Sequence, residues 1–358
     1  MRVFNFAAGP SQLPLEVLQK SQQDLLDYNH TGMSVMEMSH RSKVYQEIFH
    51  HTKQQFIKVM NIPDTHTVLF MQGGASSQFS CVPLNFLHNQ ADYAITGNFS
   101  NIAYKEALKY GDIHISYNGQ DNNYTHIPTQ EELNILSNSS YFHYCANNTI
   151  YGTEWSYIPD TNGIPIICDM SSNIASKVID ISKYDLIYAG AQKNLAPSGV
   201  TIVIIRKSLL DNINNNIPLM FNYKTMYDKD SMYNTPPCWQ IYMLGLVMDW
   251  LDNNGGLSQM ELINKEKSDL LYNTLEQYPL FHLKAEKNSR SRMNVTFTTN
   301  NEELDNKFIK QAEEYNLYSL KGHRLTKGIR ASIYNAMPLE GVKQLCLYIE
   351  QFARENHV

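Results

Sequence analysis

Two short apolar runs that each end at a charged residue constrain this 358-residue chain more than any other feature of its sequence. Residues 164–168 are apolar and stop at Asp169, and residues 185–191 are mostly apolar and stop at Gln192 and Lys193. Continuous apolar runs of this length suit strands that are buried on both faces of a mainly parallel sheet. The pattern therefore predicts an α/β fold, and such sheets bind ligands at the carboxyl ends of their strands.

The carboxylate of Asp169 and the amine of Lys193 are the two groups that pyridoxal phosphate needs. A lysine amine binds the aldehyde of this cofactor as a Schiff base, and a carboxylate keeps its ring nitrogen protonated. A plainer alternative stays open at this point, because turns at strand ends are often rich in Asp and Ser. In it, Lys193 is a solvated lysine and Asp169 caps the turn at Ser171 and Ser172.

A second candidate site follows the strand predicted at residues 67–71, where glycines and serines precede a predicted helix. The segment is GGASS, residues 73–77. Free backbone N–H groups, the positive end of the helix dipole and the hydroxyls of Ser76 and Ser77 are expected to bind one phosphate there. The pattern is neither GxGxxG nor a P-loop, so a dinucleotide or a nucleoside triphosphate is disfavoured.

Composition and charge narrow the class of protein. A net charge of −6 argues against general binding to nucleic acid or to a membrane surface. The five cysteines have no CxxC spacing. No segment resembles a signal peptide or a run of about 18 apolar residues. We therefore expect a cytoplasmic protein that binds no metal, no nucleic acid and no membrane.

The length of the chain exceeds one typical core and predicts a large domain with a smaller second one. We place the boundary at the break NNGG, residues 253–256. This assigns residues 16–255 to the large domain and residues 256–358 to a small α+β domain. Residues 1–15 are expected to form an arm that reaches the small domain or a partner subunit.

Three further segments lack a clean helical or strand period. Residues 32–42 carry His40 and Arg41 beside serines, which is the kind of irregular backbone that holds binding side chains. Residues 222–235 are expected to form a long irregular excursion, and such excursions are often functional. Residues 116–140 are polar and are expected to lie on the surface.

The densest positive cluster, residues 321–330, lies near the end of an otherwise acidic chain. It contains His323, Arg324 and Arg330, with glycines between the charges that let the backbone bend toward one pocket. Arg side chains bind carboxylate and phosphate through two parallel hydrogen bonds. A small anionic substrate is therefore favoured over a general basic surface, and a solvated hairpin is the alternative.

Taken together and in this order, these segments resemble the phosphoserine aminotransferases, a family in the class V group of pyridoxal-phosphate enzymes. The resemblance covers nearly the whole chain and rests on FNFAAGP, GMSVMEMSHRS, GGASSQF, CDMSSN, YAGAQKN, NTPP, KGHR and GIRASIYNAMPLEG. It implies the fold-type I architecture, a large domain with a mainly parallel sheet flanked by helices and a smaller α+β C-terminal domain. It also implies a homodimer with active sites at the subunit interface.

The resemblance also implies a cofactor role for residues at the matching positions. Lys193 would form the Schiff base, and Asp169 would bind the ring nitrogen. The other implied contacts are Ala75 and Ser76 at the phosphate, Gln192 beside them, Thr149 near the ring oxygen, Phe99 on the ring face, and Asn234 and Thr235 reaching the phosphate from the other subunit. Phe99 stands where many relatives have Trp, so its smaller ring leaves the cofactor affinity open.

For the substrate, the resemblance implies that Arg330, helped by the arm near Ala8, binds the α-carboxylate. The implied group for the distal anion has four members: His323, Arg324, and His40 and Arg41 from the partner subunit. The implied reaction is reversible transamination of 3-phosphohydroxypyruvate with L-glutamate, giving O-phospho-L-serine and 2-oxoglutarate in serine biosynthesis. The resemblance also allows 4-phosphohydroxythreonine, used in pyridoxine biosynthesis, as a substrate.

Two alternative functions are weighed against this one. The first is another class V enzyme, either a small-amino-acid aminotransferase, which would not need four cations for a distal anion, or a cysteine desulfurase. A desulfurase needs a reactive thiol near the pocket, whereas Cys346 lies on the apolar face of the last predicted helix. The second is a non-catalytic module that binds a sugar phosphate or a nucleotide, and the intact pair of Lys193 and Asp169 argues against it.

Overall fold

The computed structural model describes residues 2–356, in which helices and strands alternate along most of the chain. The strands are β1 Phe4–Asn5, β2 His66–Met71, β3 Gln90–Ile95, β4 Asp112–Asn118, β5 Phe142–Cys145, β6 Asn147–Asn148, β7 Thr153–Glu154, β8 Ile166–Asp169, β9 Leu186–Gly190, β10 Thr201–Arg206, β11 His282–Leu283, β12 Asn294–Thr298, β13 Leu317–Tyr318 and β14 Ile329–Ser332. The α-helices are α1 Leu15–Gln23, α2 Lys43–Val59, α3 Gly74–Phe86, α4 Asn98–Ala107, α5 Tyr223–Asp228, α6 Cys238–Asn253, α7 Gly256–Gln277, α8 Glu302–Ala312 and α9 Leu339–Glu355. Over residues 2–356, none of these helices combines the length and the apolar character needed to cross a membrane.

Seven strands form one sheet in the order β2-β10-β9-β8-β5-β3-β4. β8 pairs in parallel with β5 and β9, and β3 pairs in parallel with β4 and β5. β10 runs antiparallel to both of its neighbours, β2 and β9. The arrangement confirms the predicted α/β fold with a mainly parallel sheet, and the two apolar runs of the sequence form β8 and β9.

Both faces of the central strands are covered, because a strand directs alternate side chains to opposite faces of its sheet. On β9, Ile187 and Ala189 join a core that includes side chains of α2 and α6. Leu186 and Tyr188 join a different core, which includes side chains of α3. All five residues of β9 are buried as a result, which is why the run is apolar without alternation.

A three-stranded antiparallel sheet, β11-β12-β14, contributes with α8 and α9 to a third core. The N-terminal arm joins this core through Phe6, and β1 pairs with β13. Helix α7 contacts two cores, since Leu257 and Met260 pack with the sheet core while Leu271 and Leu275 pack with the third core. The chain thus passes from one body of apolar packing to the other along α7.

Two expectations about irregular segments need correction, the first only at its start. Most of residues 116–140 are exposed or half-buried, as predicted, but β4 extends into the first three of them and Ser116 is buried. β4 is the edge strand of the sheet, and edge strands carry polar side chains that interrupt an apolar run. The predicted excursion at residues 222–235 contains α5, whose N-terminus is capped by Asn222 accepting from the N–H of Thr225 at 2.9 Å. Six residues are too few to show a helical period.

Candidate active site

The carboxyl ends of three neighbouring strands meet at one cavity of about 430 Å³. β5 ends at Cys145 and β8 ends at Asp169, which are aligned in register, and Lys193 follows the end of β9. Ten sequence-predicted site residues line the cavity: Ala8, Ala75, Ser76, Phe99, Thr149, Asp169, Gln192, Lys193, His323 and Arg330. The structure therefore brings the carboxylate and the amine of the two apolar runs to the same space.

Asp169 presents one carboxylate oxygen with little protein contact. Its Oδ1 accepts from the N–H of Ser171 at 2.8 Å, whereas its Oδ2 has only the thiol of Cys145, at 4.0 Å, among the described residues. Burial raises the pKa of Asp169, and the hydrogen bonds from Ser171 and the charge of Lys193 oppose that rise. A buried carboxylate oxygen in this state is suited to accept from a cationic N–H of a ligand.

Lys193 is half-buried at the same cavity. Burial lowers the pKa of its amine, and the negative charge of Asp169 acts in the opposite direction. Its Nζ lies 5.6 Å from the centroid of the Phe99 ring, in the first turn of α4. A flat ligand bound to this amine would have an aromatic side chain beside it, as the sequence predicts for Phe99.

The N-terminal arm holds the segment that carries Lys193. The N–H of Ser11 donates to the carbonyl of Gln192 at 3.0 Å, and the Ser11 hydroxyl donates to the carbonyl of Lys193. Gly9 has a φ of +144°, and a Cβ there would lie 3.4 Å from Cγ of Lys193. The predicted arm thus lines the candidate active-site cavity of its own chain through Ala8 and Gly9.

The glycine–serine segment, residues 73–77, which we call the phosphate cup, has the predicted layout with one change. Gly73 and Gly74 adopt positive φ values of 93° and 68°, and α3 begins there with Ala75 and Ser76 in its first turn. The first N–H groups of a helix have no partner within the helix, so they are available to an anion. The hydroxyl of Ser77 instead donates to backbone carbonyls, at 2.9 Å for Gly74. The expectation of two phosphate-binding hydroxyls was therefore wrong, since Ser77 closes the turn.

Arg330 and His323 form the cationic side of the cavity. Nη1 of Arg330 donates to the carbonyl oxygen of Thr149 at 3.1 Å. Nδ1 of His323 accepts from the N–H of Leu325 at 3.2 Å, which leaves Nε2 of the neutral ring as a donor. Burial lowers the pKa of His323, and the charges of Arg330 and Arg324 lower it further.

Five sequence-predicted residues do not line the cavity of one chain: His40, Arg41, Asn234, Thr235 and Arg324. Arg324 is exposed on the hairpin that carries His323. Nε2 of Gln46 donates to the carbonyl of His40 at 2.6 Å and contacts Sδ of Met232 at 3.2 Å. Gln46 therefore bridges His40 and Met232, which lies two residues before Asn234.

Four polar residues of the cavity were not predicted: Cys145, Asn147, Ser171 and Ser172. Asn147 donates to the hydroxyl of Ser172 at 2.8 Å, so these side chains hold the β5 and β8 ends together. Cys145 was expected to be an ordinary reduced core residue, and it is a buried free thiol that also lines the cavity. Its place at the end of a strand was the available signal.

The cavity offers each group that pyridoxal phosphate requires. Asp169 has a free carboxylate oxygen for a ring N–H, and Lys193 has an amine of lowered pKa for an aldehyde. The α3 N-terminus, with Ala75 and Ser76, supplies N–H groups for a phosphate. These residues therefore fit the cofactor.

Comparisons with known proteins show the family of this chain. A model of the family described as aminotransferase class V matches residues 3–345. A phosphoserine aminotransferase of Bacillus cereus is 48% identical over 357 residues, which cover 99% of each protein. The phosphoserine aminotransferase of Bacillus subtilis (strain 168) is 46% identical over 358 residues, again 99% of each.

Solved structures give the same result. Phosphoserine aminotransferase from Bacillus circulans subsp. alkalophilus has a TM-score of 0.97 at 42% identity over 99% of both chains. The enzyme from Trichomonas vaginalis with bound PLP has a TM-score of 0.93 at 34% identity, covering 98% of this chain and 100% of that one. An alanine–glyoxylate aminotransferase from Nostoc sp., at 16% identity and a TM-score of 0.78 over 98% and 95%, shares the fold alone. The chain belongs to the phosphoserine aminotransferase family of class V aminotransferases, which depend on pyridoxal phosphate.

Proposed function

We propose that this chain catalyses reversible transamination between L-glutamate and 3-phosphohydroxypyruvate, giving 2-oxoglutarate and O-phospho-L-serine in serine biosynthesis. One observation carries the proposal: a single cavity is lined by a buried carboxylate, a half-buried amine, a helix N-terminus and an arginine. The relatives reported above at 42–48% identity over 99% of the chain are phosphoserine aminotransferases, and the proposed reaction is the one that their name describes.

The cofactor would be held by the residues predicted from the sequence. When bound, pyridoxal phosphate supplies an aldehyde that condenses with amines and a protonated ring that withdraws electrons from the substrate. Oδ2 of Asp169 would accept from the ring nitrogen, Phe99 would contact the ring face and Thr149 the oxygen side. The phosphate would be held by Ala75, Ser76, Gln192, the partner subunit's Asn234 and the partner subunit's Thr235.

Lys193 would hold the cofactor and also move the proton of the reaction. Burial lowers the pKa of its amine, which increases the neutral fraction that can accept a proton at Nζ. Nζ would accept the α-proton of the amino-acid donor. In the second half of the reaction it would donate a proton to the α-carbon of the new amino acid. The carboxylate of Asp169 would keep its partner nitrogen protonated during this transfer.

Two anion sites would orient the substrate. Arg330, beside Ala8 of the arm, would bind the α-carboxylate, since its Nη1 is fixed by Thr149 and its remaining donors are free among the described residues. The distal anion would be bound by His323, Arg324, the partner subunit's His40 and the partner subunit's Arg41. A group of several donors accepts both the γ-carboxylate of glutamate and the phosphate of the other substrate.

A desulfurase function has no support from the cysteines. Cys346 is buried on α9, and burial raises the pKa of its thiol to about 11. Cys145 lines the cavity, but burial raises the pKa of that thiol as well. Because the thiolate is the nucleophile, neither residue has the activation that sulfur transfer requires.

We also propose a homodimer with shared active sites and a cytoplasmic location. Four predicted site residues do not line the cavity of their own chain: His40, Arg41, Asn234 and Thr235. They belong to two segments that Gln46 links, which is expected if they serve a partner's cavity. All five cysteines are free, as is usual in reducing compartments.

Mixed dimers test the shared site. Arg41→Ala is expected to raise the KM for 3-phosphohydroxypyruvate by about tenfold, because one bidentate anion contact is lost. The control Lys43→Ala changes an exposed lysine two residues away and should leave KM unchanged. When Lys193→Ala and Arg41→Ala chains are refolded together, half of the sites in a mixed dimer regain both residues. Activity at low substrate should therefore exceed the sum of the two pure variants, and a simple sum would refute sharing.

Steady-state kinetics on two substrates test the chemistry. We expect turnover of 3-phosphohydroxypyruvate with L-glutamate, and we propose that 4-phosphohydroxythreonine is also a substrate because the same cations recognise its phosphate. Arg41→Ala should raise the KM of both by a similar factor. An absence of transamination with 3-phosphohydroxypyruvate would refute the proposed function.

A further inference from the structure

Lys267 is a fully buried lysine in the middle of α7. Its Nζ donates to three backbone carbonyls, those of Ile333 at 3.1 Å, Tyr334 at 2.8 Å and Met337 at 3.1 Å. It forms no ion pair with an acidic side chain among residues 2–356. Three donors thus meet three acceptors of one short segment, residues 333–337, which we call the post-strand turn.

Burial of the Lys267 ammonium in this way is unfavourable, so the lysine must contribute something that an apolar residue would not. Moving an ammonium group out of water without a counter-ion is strongly unfavourable. Burial accordingly lowers the pKa of Lys267 to about 7. A methionine would fill similar space without that penalty, so packing alone does not explain a lysine here. What the lysine adds is hydrogen bonding to the post-strand turn, which links β14 to α9.

The post-strand turn contacts both chain segments that flank Lys193. The hydroxyl of Tyr334 donates to the carbonyl of Ala8 at 2.8 Å, in the arm that packs against Lys193. The N–H of Asn335 donates to Oδ1 of Asn194 at 3.0 Å, directly after Lys193. Nδ2 of Asn335 also donates to the carbonyl of Ala175 at 2.7 Å, in the turn that follows Asp169.

Helix α7 fixes the turn from one face. Asn264 lies three residues before Lys267, so the two side chains leave the helix on the same side. Nδ2 of Asn264 donates to Oδ1 of Asn335 at 2.8 Å. The helix therefore holds the turn at its carbonyls through Lys267 and at its side chain through Asn264.

We propose that Lys267 is a positioning residue for catalysis: by holding the post-strand turn, it fixes Ala8 and Asn194 and so sets the place of the Lys193 amine. It touches neither cofactor nor substrate. The inference rests on the proposed role of Lys193. A small displacement of a reacting group lowers kcat more than it weakens binding, because the substrate contacts themselves are kept.

The test uses Lys267→Met in the holoenzyme, with Lys265→Met as the matched control on the exposed side of α7. We expect kcat to fall by about tenfold and the KM for phosphorylated substrate to change by less than about threefold. The pH at which the visible absorbance of the bound cofactor changes should also shift, because the surroundings of the Lys193 amine change. Lys265→Met should match the wild type in all three. A purely structural role would lower the melting temperature and leave that pH and kcat unchanged.

Two variants keep the test decisive if Lys267→Met fails to fold. Tyr334→Phe and Asn335→Ala each remove a side-chain link of the turn while the Lys267 ammonium and its carbonyl acceptors stay. Each is expected to lower kcat by about threefold and to shift the same absorbance midpoint. Wild-type kcat and midpoint in folded Lys267→Met, or in both of these variants, would overturn the inference. A wild-type enzyme without transaminase activity would instead refute the proposed function.

Discussion

The strand-end wall, formed by Cys145, Asp169 and Lys193, and the anion hairpin, residues 321–328, line the same cavity but are fixed by different forces. The wall stands at the ends of β5, β8 and β9, whose register is set by backbone pairing inside a buried sheet. The hairpin closes on itself through the N–H of Gly322 and the carbonyl of Gly328 at 2.9 Å, and its tip is exposed. The proposed cofactor contacts of the wall are therefore set by the sheet, whereas the proposed distal-anion contacts of the hairpin depend on a few hydrogen bonds of a loop.

This difference separates the expected kinetic effects. Burial raises the pKa of Asp169 and lowers that of Lys193, which fits the chemistry proposed for both groups. Arg324 on the hairpin is exposed, and charges in water interact weakly over the same distance. Changes in the wall should therefore lower kcat, and changes in the hairpin should raise KM.

Lys193→Ala is the most direct way to break this separation. We expect kcat to fall by at least about 10³-fold, because the variant loses both the cofactor attachment and the general acid and base. Steady-state transamination measures the loss. In the wild type, borohydride should also remove a visible absorbance band that the variant lacks. The control Lys183→Ala, at an exposed lysine outside the cavity, should behave as the wild type.

Substantial turnover in Lys193→Ala would contradict the role of the wall. It would leave the amine as a structural side chain at a strand end, which was the plainer alternative at the level of sequence. The cavity would then need another base, and Asp169, Cys145 and His323 are titratable side chains that would still line it.

The wall could be predicted from sequence because two properties coincide there. Runs buried on both faces carry no polar residue, so the first charge after each run marks a strand end. Parallel strand ends lie at one edge of the sheet, and Asp169 and Lys193 had to be close once both runs were strands. The cup followed from glycines before a helix, since Gly73 and Gly74 need positive φ.

Other features had an ambiguous local signal or none. Cys145 ends a strand at the same edge, but a cysteine after apolar residues is typical of any core. Ser77 looks identical to Ser76 in sequence, and only the backbone path of the turn assigns its hydroxyl to the Gly74 carbonyl. β4 was missed because an edge strand is half polar. Lys267 was missed because its three acceptors are backbone carbonyls about 70 residues away in the sequence.

Lys284→Met tests whether the hairpin affects substrate binding alone. Nζ of Lys284 donates to the carbonyl of Lys327 at 3.2 Å and also to that of Thr326, so it anchors the hairpin that carries His323 and Arg324. Loss of these hydrogen bonds should raise the KM for phosphorylated substrate by about fivefold and leave kcat near the wild-type value. Lys267→Met is expected to do the reverse.

Exposed Lys287 provides the control for this variant, since Lys287→Met removes a nearby positive charge without a bond to the hairpin. Its KM should equal that of the wild type at moderate salt, where distant surface charges are screened. A fall in kcat without a rise in KM in Lys284→Met would show that the hairpin acts on the chemistry. The wall and the hairpin would then be one unit.

Phe99→Ala is expected to weaken cofactor binding without abolishing turnover, because it removes an aromatic face beside the wall without changing a charge. The ring is 39% exposed, and its centroid lies 5.6 Å from Nζ of Lys193. Aromatic contacts contribute about 0.5–1.5 kcal/mol beyond area, so the dissociation constant of the cofactor should rise by about two- to twelvefold. Absorbance titration of the apoenzyme measures this, with Ile102→Ala on the same helix as the control. Phe99→Trp should tighten binding, since a larger ring covers more of the ligand. If Phe99→Ala and Phe99→Trp both bind the cofactor as tightly as Ile102→Ala does, the side chain at position 99 does not stack on it.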